Sequence, residues 1–266
     1  MKYAQLLPPA SISKYVRYFW VLENDTPTKS FKMLRPLADG CPGIFFQHSS
    51  AGTFYDASNR ILPEVYLYGQ TITPTEFYIH GNLKTLGVCF FPYALKSIYG
   101  LNASELTDNC LDITLLTAQL RDQLVNANST QRQIEIFASH IAEEIKQKNP
   151  TLDGETEYAL RQLIKSKGIV SLKSLQQKLK LSERSLERKF SQQIGISPKL
   201  FSKVCQFQAS LHQLRQNNYT NLSDIAYDNG FADQSHFIRT FKTFAGISPL
   251  QFQKGGRKST ENFSLL

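Results

Sequence analysis

Two groups of side chains in the last third of this 266-residue chain have the types and spacing to read a hydrogen-bonding surface. The first is Glu183, Arg184, Ser185, Glu187 and Arg188. The second is Gln234, Ser235, Ile238 and Arg239. Arginine pairs bidentately with guanine, glutamine with adenine, and glutamate accepts from the cytosine amino group. Ile238 suits a thymine methyl or a position against the backbone. Such readout needs these side chains on one exposed face near the start of a helix that enters a major groove.

The surrounding pattern supplies such helices twice. Leu186, Phe190 and Ile194 recur every four residues, and so do Phe237 and Phe241, with Phe244 three further on. Each set forms an apolar stripe that faces a core and turns the polar residues outward. Ser182 and Asp233 stand where an N-cap belongs. Gly230 falls where the turn calls for a positive φ, and Lys180 takes that place in the first copy at a small local cost. From Ser182 and Asp233 onward the copies match at an offset of 51 residues and end alike, in Gly195-Ile-Ser-Pro198 and Gly246-Ile-Ser-Pro249. Upstream the offset is 50, so the second copy carries one extra turn residue. Helix, turn and helix, repeated, make a reader of two grooves.

Residues 153–253 resemble the DNA-binding domain of the AraC family of transcription regulators. The string Gly230-Phe-Ala-Asp-Gln-Ser-His-Phe-Ile-Arg-Thr-Phe241 with Gly246-Ile-Ser-Pro249 carries the likeness. The resemblance implies two helix-turn-helix units, about 171–195 and 222–246, joined by a long helix from Pro198 to about Gln216. Such a helix spans ~27 Å, which suits two recognition helices about one DNA turn, ~34 Å, apart. It also implies Arg184, Glu187 and Arg188 as base readers of the first unit. Gln234, Ser235, Ile238 and Arg239 would line the second groove or its phosphates. Where many members carry arginine in the joining helix this chain has Gln206, which bears on packing between the two units.

Charge divides the chain the same way. Residues 151–266 hold 17 basic and 9 acidic side chains, net +8, whereas residues 1–150 hold 13 of each. The excess favours phosphate contact and salt-dependent binding. The length suits two domains, 1–150 and 151–266, each with its own core. Lys148-Asn-Pro-Thr-Leu-Asp-Gly154 reads as the linker, and the stretch from Lys254 as a weakly basic disordered tail. No run approaches the ~18 apolar residues of a membrane span, and the start lacks a secretory signal. Cys41, Cys89, Cys110 and Cys205 form no CxxC pair. They read as reduced thiols in a cytoplasmic, bacterial-type protein, with no metal site and no cofactor expected.

The expected fold class is α+β: an N-terminal barrel or jelly roll with trailing helices, then an all-α domain. Tyr15–Leu22, Gly43–His48, Val65–Gln70, Phe77–His80 and Lys84–Phe91 read as strands. Helical patterns follow over Tyr93–Tyr99, Leu115–Asn126 and Thr130–Lys148. The last has Ile134, Phe137, Ile141 and Ile145 on one stripe, for packing on the barrel or for pairing with a second subunit. This half resembles the cupin-like N-terminal domain of some AraC-type regulators through Leu37-Ala-Asp-Gly-Cys41, Gly69-Gln-Thr-Ile-Thr-Pro74 and Gly87-Val-Cys-Phe-Phe-Pro92. The resemblance implies an effector-sensing or dimerising domain. Trp20, Phe46, His48, Tyr68, His80 and Phe90 are candidates to line a ligand site; their alternative role is to fill the barrel. A cupin-type metal enzyme is the competing class. His48, His80 and His140 include no closely spaced pair, which disfavours a three-histidine cluster and catalysis. The partners implied are double-stranded DNA, a small-molecule effector, RNA polymerase and a second copy of the chain, with no membrane. An interaction protein whose AraC-like domain no longer reads DNA is the alternative, and the outward arginines argue against it.

Overall fold

A computed structural model of the chain describes residues 2–48, 52–151 and 153–254. The tail expected to be disordered lies outside the described residues from 255 onward, as does Leu152 of the linker. The N-terminal region is built from seven strands: β1 (Lys2–Leu6), β2 (Val16–Leu34), β3 (Gly43–Gln47), β4 (Gly52–Tyr55), β5 (Val65–Tyr68), β6 (Phe77–Phe90) and β7 (Cys110–Asp112). All described pairings are antiparallel. The order is β1-β2-β6-β3-β5-β7, with β4 on the first half of β6.

This open sheet corrects the expectation of a barrel or jelly roll. Among the described residues β1 and β7 are unjoined edges, so no closed barrel forms. Long β2 and β6 accommodate curvature by register shifts around Thr28 instead of by adding strands. The Gly81-Asn82 pair, which separates two expected strands, is absorbed inside β6: Gly81 takes φ 94° and sits opposite Thr28 and Gly52.

Alternation along the strands divides two cores. Phe19, Ile44, Phe46, Val88 and Phe90 point to one face, where they are buried with Leu120 and Leu124 of α1 (Ala118–Val125) and with Ile134, Phe137 and Ile141 of α2 (Thr130–Lys148). The stripe of α2 therefore packs on the sheet, one of its two expected roles. Tyr18, Trp20, Cys41, Phe54, Tyr66 and Cys89 gather on the other face.

The remaining helices are α3 (Gly154–Lys165), α4 (Leu172–Leu179), α5 (Glu183–Ile194), α6 (Pro198–Gln216), α7 (Leu222–Asp228), α8 (Gln234–Ala245) and α9 (Pro249–Lys254). Their core runs from Leu163, Leu175, Leu186 and Phe190 through Phe201 and Phe207 of α6 to Phe237, Phe241 and Phe252. Phe201 meets Phe190 edge-on at 6.1 Å, and Phe207 meets Phe241 at 5.2 Å. Thus α6 is a shared wall between two helical units.

The expectation of two separately cored halves needs amendment. Leu37 and Ala38, in the loop between β2 and β3, are 3% and 1% exposed and belong to the helical core. Gln208 of α6, fully buried, donates its side-chain N–H to the Ala38 carbonyl. Thr107 Oγ1 donates to the Gly195 carbonyl at 2.7 Å, and Gly246 lies against Pro74. The sheet region is therefore seated on both Gly-Ile-Ser-Pro corners and on the helix between them.

Candidate functional site

The first candidate reading helix is α5. Its N-cap, Ser182, accepts from the Ser185 backbone N–H at 3.2 Å. Leu186, Phe190 and Ile194 are buried, so the helix's rotation about its axis is fixed. Glu183, Arg184, Glu187 and Arg188 are exposed as a result, while Ser185 is half-buried. The second element, α8, is built alike. Asp233 Oδ1 accepts from the His236 N–H at 2.6 Å, and Phe237, Phe241 and Phe244 are buried. Gln234, Ser235 and Arg239 are exposed. Ile238 is half-buried and packs partly on the core, so only part of its side chain faces outward.

The turns follow the sequence argument. Gly230 has φ 72°, and Lys180 adopts φ 55° in the corresponding place. Gln206 of α6 donates to the Gly230 carbonyl at 3.1 Å, which ties the joining helix to the second turn. Gln206 thus joins α6 to the turn before α8. Lys189, although on α5, is engaged by Asp153 at 3.1 Å and Glu155 at 2.9 Å. Those carboxylates raise its pKa.

A cavity of about 110 Å³ opens on the second face of the sheet, lined by Trp20, Phe45, Phe54, Tyr66, Tyr68 and Phe77 among others. Arg35, Leu37 and Asp39 also border it. Phe45 stacks on Tyr66 at 5.1 Å and meets Trp20 and Phe54 at 5.4 and 5.0 Å. Gly87 is required here, since a Cβ would stand 2.1 Å from the Trp20 ring. Of the six candidate ligand residues the cavity unites Trp20 and Tyr68. Phe46 and Phe90 are buried in the other core, His48 lies edge-on to Phe46 at 6.1 Å, and His80 is exposed on β6. Phe45, Phe54 and Tyr66 were missed. Alternation along β3 and β5 selects one face, but the sequence does not say which face leaves space.

Beside the cavity lies a buried polar group. Arg17 Nη1 donates to Cys41 Sγ at 3.2 Å, and Asp39 Oδ1 accepts from the Cys41 N–H at 2.9 Å. Cys89 Sγ, Cys41 Sγ and an Asp39 carboxylate oxygen lie within 4.8 Å of one another. Burial opposes ionisation of Cys41, but the Cys89 thiol and the Arg17 guanidinium outweigh it and bring the group down to about 7. Burial and the Cys41 charge push Asp39 well above the usual carboxylate range. The same two causes, with a hydrogen bond to Cys41, raise Cys89.

Comparison with known proteins follows the same division. Residues 4–112 match a family described as a domain of unknown function (DUF6597), and residues 175–255 match a helix-turn-helix domain family. Over 86 residues, 32% of this chain, it is 30% identical to the HTH-type transcriptional activator RhaS of Escherichia coli, covering 31% of that protein. Over 93 residues, 35% of this chain, it is 31% identical to an HTH-type transcriptional regulator of Staphylococcus aureus, covering 12% of that protein. The chain thus spans about a third of the length of the RhaS relatives it matches, and less of the staphylococcal one. Among solved structures it is similar to ToxT from Vibrio cholerae, with 15% identity and a TM-score of 0.48, covering 89% of this chain and 98% of that one. It is also similar to a probable AraC family transcriptional regulator from Rhodopseudomonas palustris, with 23% identity and a TM-score of 0.33, covering 38% of this chain and 98% of that one. Residues 175–255 thus belong to a helix-turn-helix domain family, and over about a third of its length the chain is similar to HTH-type transcriptional activators and regulators.

Proposed function

We propose that the chain reads a specific double-stranded DNA sequence with α5 and α8, and that the sheet region adjusts this reading in response to a small ligand. The observation that carries the proposal is the repeated presentation. Two capped helices bury equivalent stripes and leave Arg184, Glu187, Arg188, Gln234 and Arg239 exposed on either side of one shared helix. A single chain would then contact two major-groove segments on one side of the duplex, about one turn apart. The charged face of α5 reads the sharper base preference. In α8 the half-buried Ile238 leaves fewer groups for base edges, so positioning on the backbone dominates there.

The effector fits the cavity's chemistry: small, largely apolar, and about the size of one ring. An engineered apolar cavity of ~150 Å³ takes up benzene. Its route to DNA is short, because the segment bordering the cavity continues into Leu37 and Ala38, which sit in the core around α6. RNA polymerase and a second copy of the chain complete the proposed set of partners.

Hydroxyl-radical footprinting with a base-substitution scan tests the reading. Two protected patches per chain, unrelated by symmetry and with the sharper preference under α5, are expected. A single patch, or two equal palindromic half-sites read by one monomer, would overturn it.

A further inference from the structure

The sequence reading expects no metal site, because Cys41 and Cys89 are 48 residues apart. Strand pairing removes that separation. Gly43 lies opposite Cys89 in the β3·β6 ladder, and Cys41 precedes Gly43 by two residues, so both thiols reach the same face of the sheet. The Asp39 side chain turns back onto the Cys41 backbone N–H and joins them. Among the described residues this is the one group of three metal-capable side chains, and all three are buried.

We propose that Asp39, Cys41 and Cys89 bind a thiophilic dication of the zinc class. The ligand atoms already lie within 4.8 Å of one another. A tetrahedral zinc with bonds of ~2.3 Å to sulfur and ~2.1 Å to oxygen holds such atoms roughly 3.5–3.8 Å apart, so a small contraction completes the set. Two thiolates and a carboxylate carry three negative charges. A dication and the Arg17 guanidinium carry three positive ones, so the loaded site is neutral, as burial requires. Thiolate ligands exclude magnesium and calcium, which take oxygen donors. The fourth position belongs to the Tyr18 hydroxyl. Tyr18 is 8% exposed and lies opposite Cys89 in the β2·β6 ladder, and its oxygen has no hydrogen-bond partner among the described residues. Bound metal would hold Asp39 and Cys41 immediately beside Ala38 and so stiffen the segment that docks on α6.

The test uses the full chain, reduced and stripped with a chelator, and titrated with Cd²⁺ as a spectroscopic stand-in for zinc. One equivalent per chain should bind and give a thiolate-to-metal charge-transfer band. Cys41→Ser and Cys89→Ser should each weaken binding by ~100-fold or more, beyond the 10–100-fold usual for outer-shell changes. Cys110→Ser, at an exposed position on β7, should leave both band and affinity unchanged. Should a core cysteine variant fail to fold by circular dichroism, the ¹¹³Cd resonance of the unaltered protein still counts its sulfur ligands. A shift in the two-sulfur range supports the site. Absence of the band, a resonance free of sulfur ligands, or a band that survives Cys41→Ser in a folded protein overturns it. None of these readouts involves DNA, so the outcome is independent of the proposed function.

Discussion

Gln208→Leu is the perturbation that most directly probes how the two regions are joined. Gln208 is fully buried on α6 and donates to the carbonyl of Ala38, which is 1% exposed. Leucine nearly preserves the volume, so the change removes a donor without opening a large hole. The Ala38 carbonyl is left buried and unpaired at a cost of ~1–3 kcal/mol. That is roughly 5- to 150-fold in an equilibrium constant. The cost falls on the docking of the 35–41 segment, not on either region's internal core. The chain contains a built-in reporter, because its one tryptophan, Trp20, lies in the sheet region while most helix lies beyond residue 153. In the parent protein, denaturation followed by Trp20 fluorescence and by far-ultraviolet circular dichroism should coincide. In Gln208→Leu the two curves should separate, with the sheet region melting first. Curves that stay superimposed, with midpoints moved by less than the equivalent of ~0.5 kcal/mol, would refute the reasoning that Ala38 and Gln208 couple the regions.

The other expectations concern the reading helices. Arg188→Ala should keep the parent circular dichroism and lose ~1–3 kcal/mol of affinity for the preferred site in a binding titration. Leu186→Asp should instead unfold its unit, since it places an unpaired charge at a position 1% exposed. Gly230→Val should destabilise by at least ~1–2 kcal/mol in thermal melts, because the backbone has φ 72° and a Cβ would stand 2.9 Å from Ile169. DNA affinity should fall linearly on a log–log plot against salt, with a slope of magnitude about 0.9 per phosphate neutralised, and a flat response would exclude groove binding. Asp153, bonded to Thr156 and Lys189, titrates below its ordinary value even though burial opposes this. Its contribution is therefore present above the unfolded pKa near 4 and lost as pH falls through the lower folded value. Asp153→Asn should remove that acid-sensitive component from pH-dependent melts.

The helical half was legible because its signals are local. A stripe every four residues, an N-cap and a turn residue are read within a dozen positions, and α5, α6 and α8 lie where those signals put them. Even the strained Lys180 follows from alignment with Gly230. The sheet half was less legible. The short edges β1, β4 and β7 carry weak patterns, and the curvature of the sheet depends on register shifts around Thr28 that no composition announces. The cavity and the thiol pair depend on which strands become neighbours, and the pairing of β3 with β6 joins residues 38 to 46 positions apart. The docking of Leu37 and Ala38 was hidden for a simpler reason: two apolar residues in a loop look the same whether they serve their own core or another.

The contacts at the two Gly-Ile-Ser-Pro corners have a consequence for the operator. Thr107 bonds to the end of α5 and Pro74 abuts the end of α8, and their two loops are tied together where Asp108 accepts from Ile72 and Thr73. Under the proposed two-groove reading, these ties would make the protein a caliper with a set jaw. A flexible tether would tolerate an added base pair between the two subsites, at the expense of some entropy. A set jaw does not, because one base pair turns the second subsite about 34° around the duplex axis and shifts it ~3.4 Å along it. Selection on target promoters should consequently act on the spacing between subsites as strictly as on their letters. Insertions there should be far rarer than base changes.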